Sequence, residues 1–439
     1  MAEHGIAEAV KLASNEVPFG PLPGVAEAVA AAMGDTSRYA DHDADVLAAA
    51  FAESVGLTRP HVAVGPGSVG LLQQLTLAYA GPDDEVLYPW PSFIAYPQFS
   101  GVVAAQRVVV PLRRFSIDVD AVLAAITPRT RIVFIANPNN PISGALRTAE
   151  MRRLIDGVPP GCLLVIDEAY REFVTGADVP AALPYLADHP NVVVLRTLSK
   201  AFGMAGMRVG FLIGDPVVVA AVYATMIPFA VNGPAQAAAM VALQQGDEMR
   251  RRCAVIVAER RRAGQLLRRS GLGIPESQGN FWWLPAGARS AELAVALEQR
   301  GVVVRPFPTG IRVTVGAPHE NEAFLAALAA VRAAMPELTS EWGLPAGVRA
   351  VHTADVLDQL EARAGDPDSA PLLVACERTV RVLVGERPLT AVANGDPGDI
   401  AARVADRLQA LLAELSGAEW DRLDNAPEHP LADLMADRR

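Results

Sequence analysis

Residues 192–210, VVVLRTLSKAFGMAGMRVG, decide how this chain reads. Val192-Val193-Val194-Leu195 has the β-branched, apolar character of a buried strand. It gives way at once to Arg196, the hydroxyls of Thr197 and Ser199, then Lys200, small residues and glycines. A lysine therefore stands at the carboxyl end of a strand. One account of Lys200 is a solvated side chain, the usual condition of a lysine. The other is a functional amine, and the surrounding chain has to choose between them.

Outward from that stretch, CLLVI at 162–166 is a second apolar run, and it ends in Asp167-Glu168-Ala169-Tyr170. A carboxylate directly after five apolar residues is partly buried and wants a cationic partner. The apolar run at 131–136 ends in Asn137-Pro138-Asn139-Asn140-Pro141, a polar loop stiffened by two prolines. Such a loop closes a turn, and its amides are also able to orient a ring hydroxyl. The strand expected at 61–64 runs through Gly65-Pro66-Gly67-Ser68 into an amphipathic pattern at 69–75. Strand, glycine turn and helix favour an anion, because free amides and the helix dipole point over the turn; the same turn also serves as plain punctuation. Strands expected at 85–88 and 102–110 flank Pro89-Trp90-Pro91-Ser92-Phe93, whose aromatics suit a core or a stacked ring. Strands alternating with helices predict a parallel, doubly wound sheet with ligands off the carboxyl ends of its strands. Asn140, Asp167 and Lys200 would meet there.

Toward the N-terminus, KLASNEVPFGPLP at 11–23 is rich in turn formers and predicts an extended arm packed on another element. Helices are expected at 24–33 and 45–55, either side of Ser37-Arg38-Tyr39-Ala40-Asp41. From about Asp247 a long helix pattern leads to Asn280-Phe281-Trp282-Trp283-Leu284, a helix at 290–299 and strands at 302–304 and 311–315. This reads as a second, smaller α/β domain. Arg312 interrupts an apolar strand and so needs an anion, from a structural salt bridge or from a ligand. Pro336, Gly343, Pro345 and Gly347 mark a linker, followed by helix patterns at 354–364 and 399–415, strand-like runs at 372–376 and 380–384, and a polar tail from Trp420. The expected organisation is an arm with part of the small domain at 1–45, a large domain at 46–245, a small domain at 246–335 and a C-terminal extension at 336–439.

A chain of 439 residues with 51% hydrophobic and 20% charged residues has the makings of large globular cores. A formal net charge of -11 speaks against a nucleic-acid binder, and the arginines between 251 and 269 have the helical spacing of a solvated face. The longest apolar stretch, 217–231, carries Pro228 and is shorter than the roughly 20 residues of a membrane span. Glu3 and Glu8 stand where an export signal would be positive. Cys162, Cys253 and Cys376 lack metal-ligand spacing and pair unevenly. A metal-free protein of the reducing cytoplasm is expected.

Taken in order, SNEVPFGP, RYAD, GPGS, NPNNP, DEAY, TLSKAFGMAGMRVG, NFWWLP and IRVTVG resemble the fold-type I aminotransferases of class I/II, in their histidinol-phosphate and aromatic group. The resemblance runs from about Lys11 to Val331. It implies an aspartate aminotransferase-like α/β fold, with a mostly parallel large-domain sheet, a smaller α/β domain and, here, an extra C-terminal α/β module. It implies pyridoxal 5'-phosphate as cofactor, with Lys200 as its Schiff-base lysine and Asp167 as partner of the pyridinium nitrogen. Tyr170 and Asn140 would contact the ring hydroxyl and Phe93 would stack on the ring. Gly67, Ser68, Val69, Thr197, Ser199 and Arg208 would hold the phosphate. Tyr39 would reach the neighbour's phosphate across a homodimer interface. Arg312, clamping a carboxylate, and Asn15 would bind substrate.

The implied activity moves an amino group between an amino acid and a 2-oxo acid. The likeness of SNEVPFGPLP and GNFWWLP to the aromatic branch favours a phenylalanine-like donor. Histidinol phosphate, a specialised biosynthetic reaction on the same cofactor, and a cofactor-binding regulator are the alternatives. The largest departure from the family pattern is the extra module after about Pro336, and three smaller ones are Ile142-Ser143 where Thr-Gly is usual, RYAD without a proline, and a short RPFPTGIR. Of the smaller three, the first two are expected to leave the chemistry untouched, with Ile142 altering local packing, and the third to alter the pocket rim.

Overall fold

The computed structural model describes residues 9–335. The C-terminal patterns expected after residue 335 lie outside the described residues. Residues up to Gly264 and from Ile274 onward belong to one compact unit that holds all three sheets; residues 265–273 fall outside it.

The main sheet has seven strands. In chain order after β1 (Val10–Lys11) these are β2 (Val62–Pro66), β3 (Glu85–Trp90), β4 (Gln106–Pro111), β5 (Thr130–Ala136), β6 (Leu163–Asp167), β7 (Val192–Thr197) and β8 (Val209–Ile213). Their spatial order is β2-β8-β7-β6-β5-β3-β4. The pairs β3–β4, β3–β5, β5–β6 and β6–β7 are parallel, whereas β8 runs against both its neighbours. The apolar runs of β5, β6 and β7 are buried on both faces, which is why they carry no polar alternation. Leu71, Leu72 and Leu75 of the Gly67–Tyr79 helix join Val86, Phe134, Val165 and Val193 in a core on one face.

One expected strand is shorter than the sequence reading. Residues 96–102 are a helix, Tyr96–Val102, and β4 begins only at Gln106. Tyr96, Phe99 and Ser100 are buried at helical spacing, and the chain then turns at Ala104, whose φ is 56°. The helical burial outweighs the apolar run Val102-Val103-Ala104-Ala105, which has no period of its own.

The second sheet is three-stranded and antiparallel, β11 (Arg305–Phe307), β12 (Gly310–Thr314) and β9 (Phe281–Leu284), in that order. The arm does pack on another element: β1 pairs in parallel with β10 (Val302–Val303). The arm then passes Asn15, whose amide donates to Thr314 Oγ1 at 2.9 Å. No helix of the described residues is long and apolar enough to cross a membrane.

Candidate active site

A cavity of about 340 Å³ opens where β5, β6 and β7 end. Asp167 is the last residue of β6 and only 6% exposed. Among the described residues, the single donor to its carboxylate is the Ala169 amide, 3.1 Å from Oδ1. Burial, with the neighbouring Glu168 adding to it, pushes its carboxyl up to about 6. Glu168 shows the contrast. Strand alternation turns it away, where it is fully buried against Arg196, 2.8 Å away, and accepts the Ala182 amide at 2.8 Å. The chain thus neutralises one of two adjacent buried carboxylates and leaves the other facing the cavity.

Lys200 lies three residues beyond β7 and half-buried. Its Nζ donates to the Ser14 carbonyl of the arm at 3.0 Å and sits 5.8 Å from the centre of the Tyr170 ring. Burial first, and the Arg312 charge second, lower its pKa to about 8. Tyr170 is buried and accepts from Asn15 Nδ2 at 2.9 Å; burial raises its pKa.

The two ends of the cavity carry arginines. Arg208, at φ 57°, donates from Nη1 to Ser199 Oγ at 3.1 Å and to the Ala205 carbonyl at 3.0 Å. Its guanidinium lies against Gly67, the first residue of the Gly67–Tyr79 helix, where a Cβ would collide with it. Gly67 also has φ 72°, so this position demands glycine twice over. A cation at the positive end of a helix is unfavourable by itself, and an anion between them satisfies both. Ser68, Val69, Thr197 and Ser199 line the same end. Thr197 Oγ1 accepts the Ser199 amide at 3.1 Å, which fixes the turn.

At the other end Arg312, on β12, is 8% exposed. Its Nη1 donates to Asn140 Oδ1 and its Nη2 to the Ala13 carbonyl, each at 2.6 Å, while Nε has no partner among the described residues. The Phe281 and Phe307 rings lie 5.7 and 5.8 Å from the guanidinium carbon. Burial lowers its pKa. Phe93 forms part of the wall and meets Tyr96 edge-on at 5.6 Å.

Most of the expected residues therefore converge. Three do not line the cavity. Gly67 lies just behind Arg208, and Asn15 is fully buried and reaches Tyr170. Tyr39 is 85% exposed and stacks on Phe229, with ring centres 4.5 Å apart. Asn140, expected at a ring hydroxyl, gives its amide oxygen to Arg312. Sequence reading missed Ser14 as the acceptor for Lys200, and missed Arg305 on the wall. Arg305 had a visible signal, since a short hairpin makes it the cross-strand partner of Arg312. Among the described residues no cluster of metal-ligating side chains occurs.

Residues 7–331 match the family described as "Aminotransferase class I and II". The chain belongs to the class I and II aminotransferases. It is 50% identical over 316 residues to an aromatic amino acid aminotransferase of Thermobifida fusca, covering 72% of this chain and 88% of that one. An enzyme of the same name from Streptomyces coelicolor is 48% identical over 319 residues, 72% of this chain and 89% of that one. Histidinol-phosphate aminotransferase from Sinorhizobium meliloti, solved in complex with pyridoxal-5'-phosphate, superposes with a TM-score of 0.71 at 30% identity, covering 76% of this chain and 93% of that one. This aminotransferase thus has the α/β fold that its motifs announced, and amino acids and 2-oxo acids are the substrates of its class.

Proposed function

We propose that this aminotransferase binds pyridoxal 5'-phosphate in the cavity and uses an aromatic, phenylalanine-like amino acid as donor to a 2-oxo acid. The observation that carries the cofactor is Asp167, a buried carboxylate that faces the cavity with no ion pair among the described residues. A protonated ring nitrogen is the partner it lacks, and holding a proton there is its task. The fit extends to the far end, where Arg208, Ser199, Ser68 and the helix start await a dianion. Phe93 supplies a flat apolar wall for the ring.

Bound there, the cofactor supplies an electron sink for the substrate Cα. Lys200, with a pKa near 8, is part free amine at neutral pH, so its Nζ can take the proton from Cα and return it. Arg312, with an unpaired Nε and a buried setting, binds the carboxylate and orients the donor. Tyr170, fixed by Asn15, would offer its hydroxyl to the cofactor. The aromatic donor is supported by the two relatives named for it and by Ile94 and Phe307 on the wall. A histidinol-phosphate donor is the second reading, favoured by Arg305 beside Arg312. Exposed Tyr39, stacked on Phe229, with Ile227 exposed two residues before Phe229, supports a homodimer in which Tyr39 completes the neighbouring subunit's anion cradle. A cytoplasmic setting agrees with Cys162 and Cys253, both free and buried.

Titrating the protein with pyridoxal 5'-phosphate, then monitoring visible absorbance during turnover of phenylalanine and of histidinol phosphate, tests the reading. Phenylalanine is expected to turn over faster. Faster turnover of histidinol phosphate reverses the two readings, and no absorbance change on adding cofactor defeats both.

A further inference from the structure

Ser143 lies in the polar loop after β5, three residues beyond Asn140. It is fully buried with φ 69°, a left-handed backbone that costs serine more than it costs glycine. The return for that strain is visible in its hydroxyl. Ser143 Oγ accepts the Gly279 amide at 2.6 Å and the Gln278 amide at 3.1 Å, and lies 3.0 Å from Ser277 Oγ. The Ser143 carbonyl takes the Gln278 amide as well, at 3.0 Å. A Cβ at Gly279 would press on both this hydroxyl and the Phe281 ring, so the two segments touch at backbone distance.

The two segments so joined are the two supports of Arg312. On one side the loop carries Asn140, whose Oδ1 takes Arg312 Nη1. On the other, residues 277–279 lead straight into β9, where Phe281 lies under the guanidinium and Trp283 pairs in register with Arg312. Gln278 extends the joint, its Oε1 accepting the Thr175 and Gly176 amides at 2.9 and 3.1 Å. We infer that Ser143 is a positioning residue: its hydroxyl sets the distance between the amide and the aromatic face that aim Arg312 at the substrate carboxylate. The inference rests on the reading of Arg312 as the carboxylate clamp. Ser143 touches no reacting atom and acts through the Asn140 loop.

The test uses the cofactor-loaded enzyme and 3-phenylpropionate, a carboxylate that lacks the amine and cannot react. Ser143→Gly removes the hydroxyl and relieves the backbone, so the fold is spared. Its Kd for 3-phenylpropionate and its KM for phenylalanine are expected to rise about tenfold, with kcat and cofactor absorbance unchanged within about twofold. Added to Arg312→Ala, the same change is expected to raise Kd no further, because the group it aims is gone. Ser143→Gly with an unaltered Kd, or with the same rise in both backgrounds, overturns the inference while leaving the clamp intact. Arg312→Ala with an unaltered Kd overturns the clamp itself, and the inference with it.

Discussion

Arg208 and Arg312 close the two ends of one cavity, and they are held in opposite ways. Arg208 leans on Ser199 and Ala205, nine and three residues away, in a turn that its own left-handed backbone completes. Arg312 leans on Asn140 and Ala13, 172 and 299 residues away. The arginine of the first end is fixed within one stretch of chain, and the helix start at Gly67, Ser68 and Val69 completes that end from far away in sequence. The second exists only once the arm, the loop after β5 and the antiparallel sheet have come together. An arginine held by its near neighbours keeps its aim through motions of the rest of the molecule, whereas one held by distant segments responds to them. That division suits a cofactor held through every turnover at one end and a substrate exchanged at the other.

Four substitutions put this contrast at risk. Lys200, between the two ends, carries the largest expected effect: Lys200→Ala should lower kcat by about a thousandfold or more, with loss of the visible absorbance of the bound cofactor. Retained absorbance would remove Lys200 from the centre of the site. Arg312→Ala should raise KM for carboxylate substrates about a hundredfold and leave cofactor affinity nearly unchanged, measured by steady-state kinetics beside cofactor titration. Arg208→Ala should do the reverse, weakening pyridoxal 5'-phosphate about tenfold while KM moves little. If both variants lose cofactor equally, the two ends are not independent.

The smallest effect concerns the cofactor-free protein. Burial raises the Asp167 pKa from 3.8 to about 6, so between those values the folded state holds a proton that the unfolded chain has lost. Stability contributed there falls as pH rises through that window, and at neutral pH the ionised, unpaired carboxylate is a cost. Asp167→Asn should therefore stabilise the cofactor-free protein at pH 7 by about 3 kcal/mol, and by nothing below pH 3.8. Thermal melts at the two pH values check the sign. The same variant should bind cofactor less well, a stability gained at the expense of the site. Lys200 obeys the mirror rule: its pKa falls from 10.5 to about 8, so the cost of burying it fades as pH rises between those values.

Much of the site was legible in the sequence because strand ends announce themselves. Apolar runs that stop on Asp167, on Asn137-Pro138-Asn139-Asn140-Pro141 and on Thr197-Leu198-Ser199-Lys200 place those residues at one edge of a parallel sheet, whatever the rest of the chain does. The Val102–Ala105 stretch misled because apolar residues without a period leave helix and strand undecided, and burial of Tyr96 and Phe99 settled it. Ser143 is a different case. It stands where the family pattern has glycine and was expected to leave the chemistry untouched, and a sequence gives no sign that its hydroxyl accepts two amides more than 130 residues away.

The sequence by itself located the strands that end in the cluster, and the glycine turn, because each is written in residues that are near neighbours; it did not announce β8, which lies in the sheet antiparallel to both its neighbours. Only the tertiary structure decided what Arg312, Asn15 and Ser143 touch. Their partners are set by long-range packing, and a pattern along the chain carries no measure of distance across it.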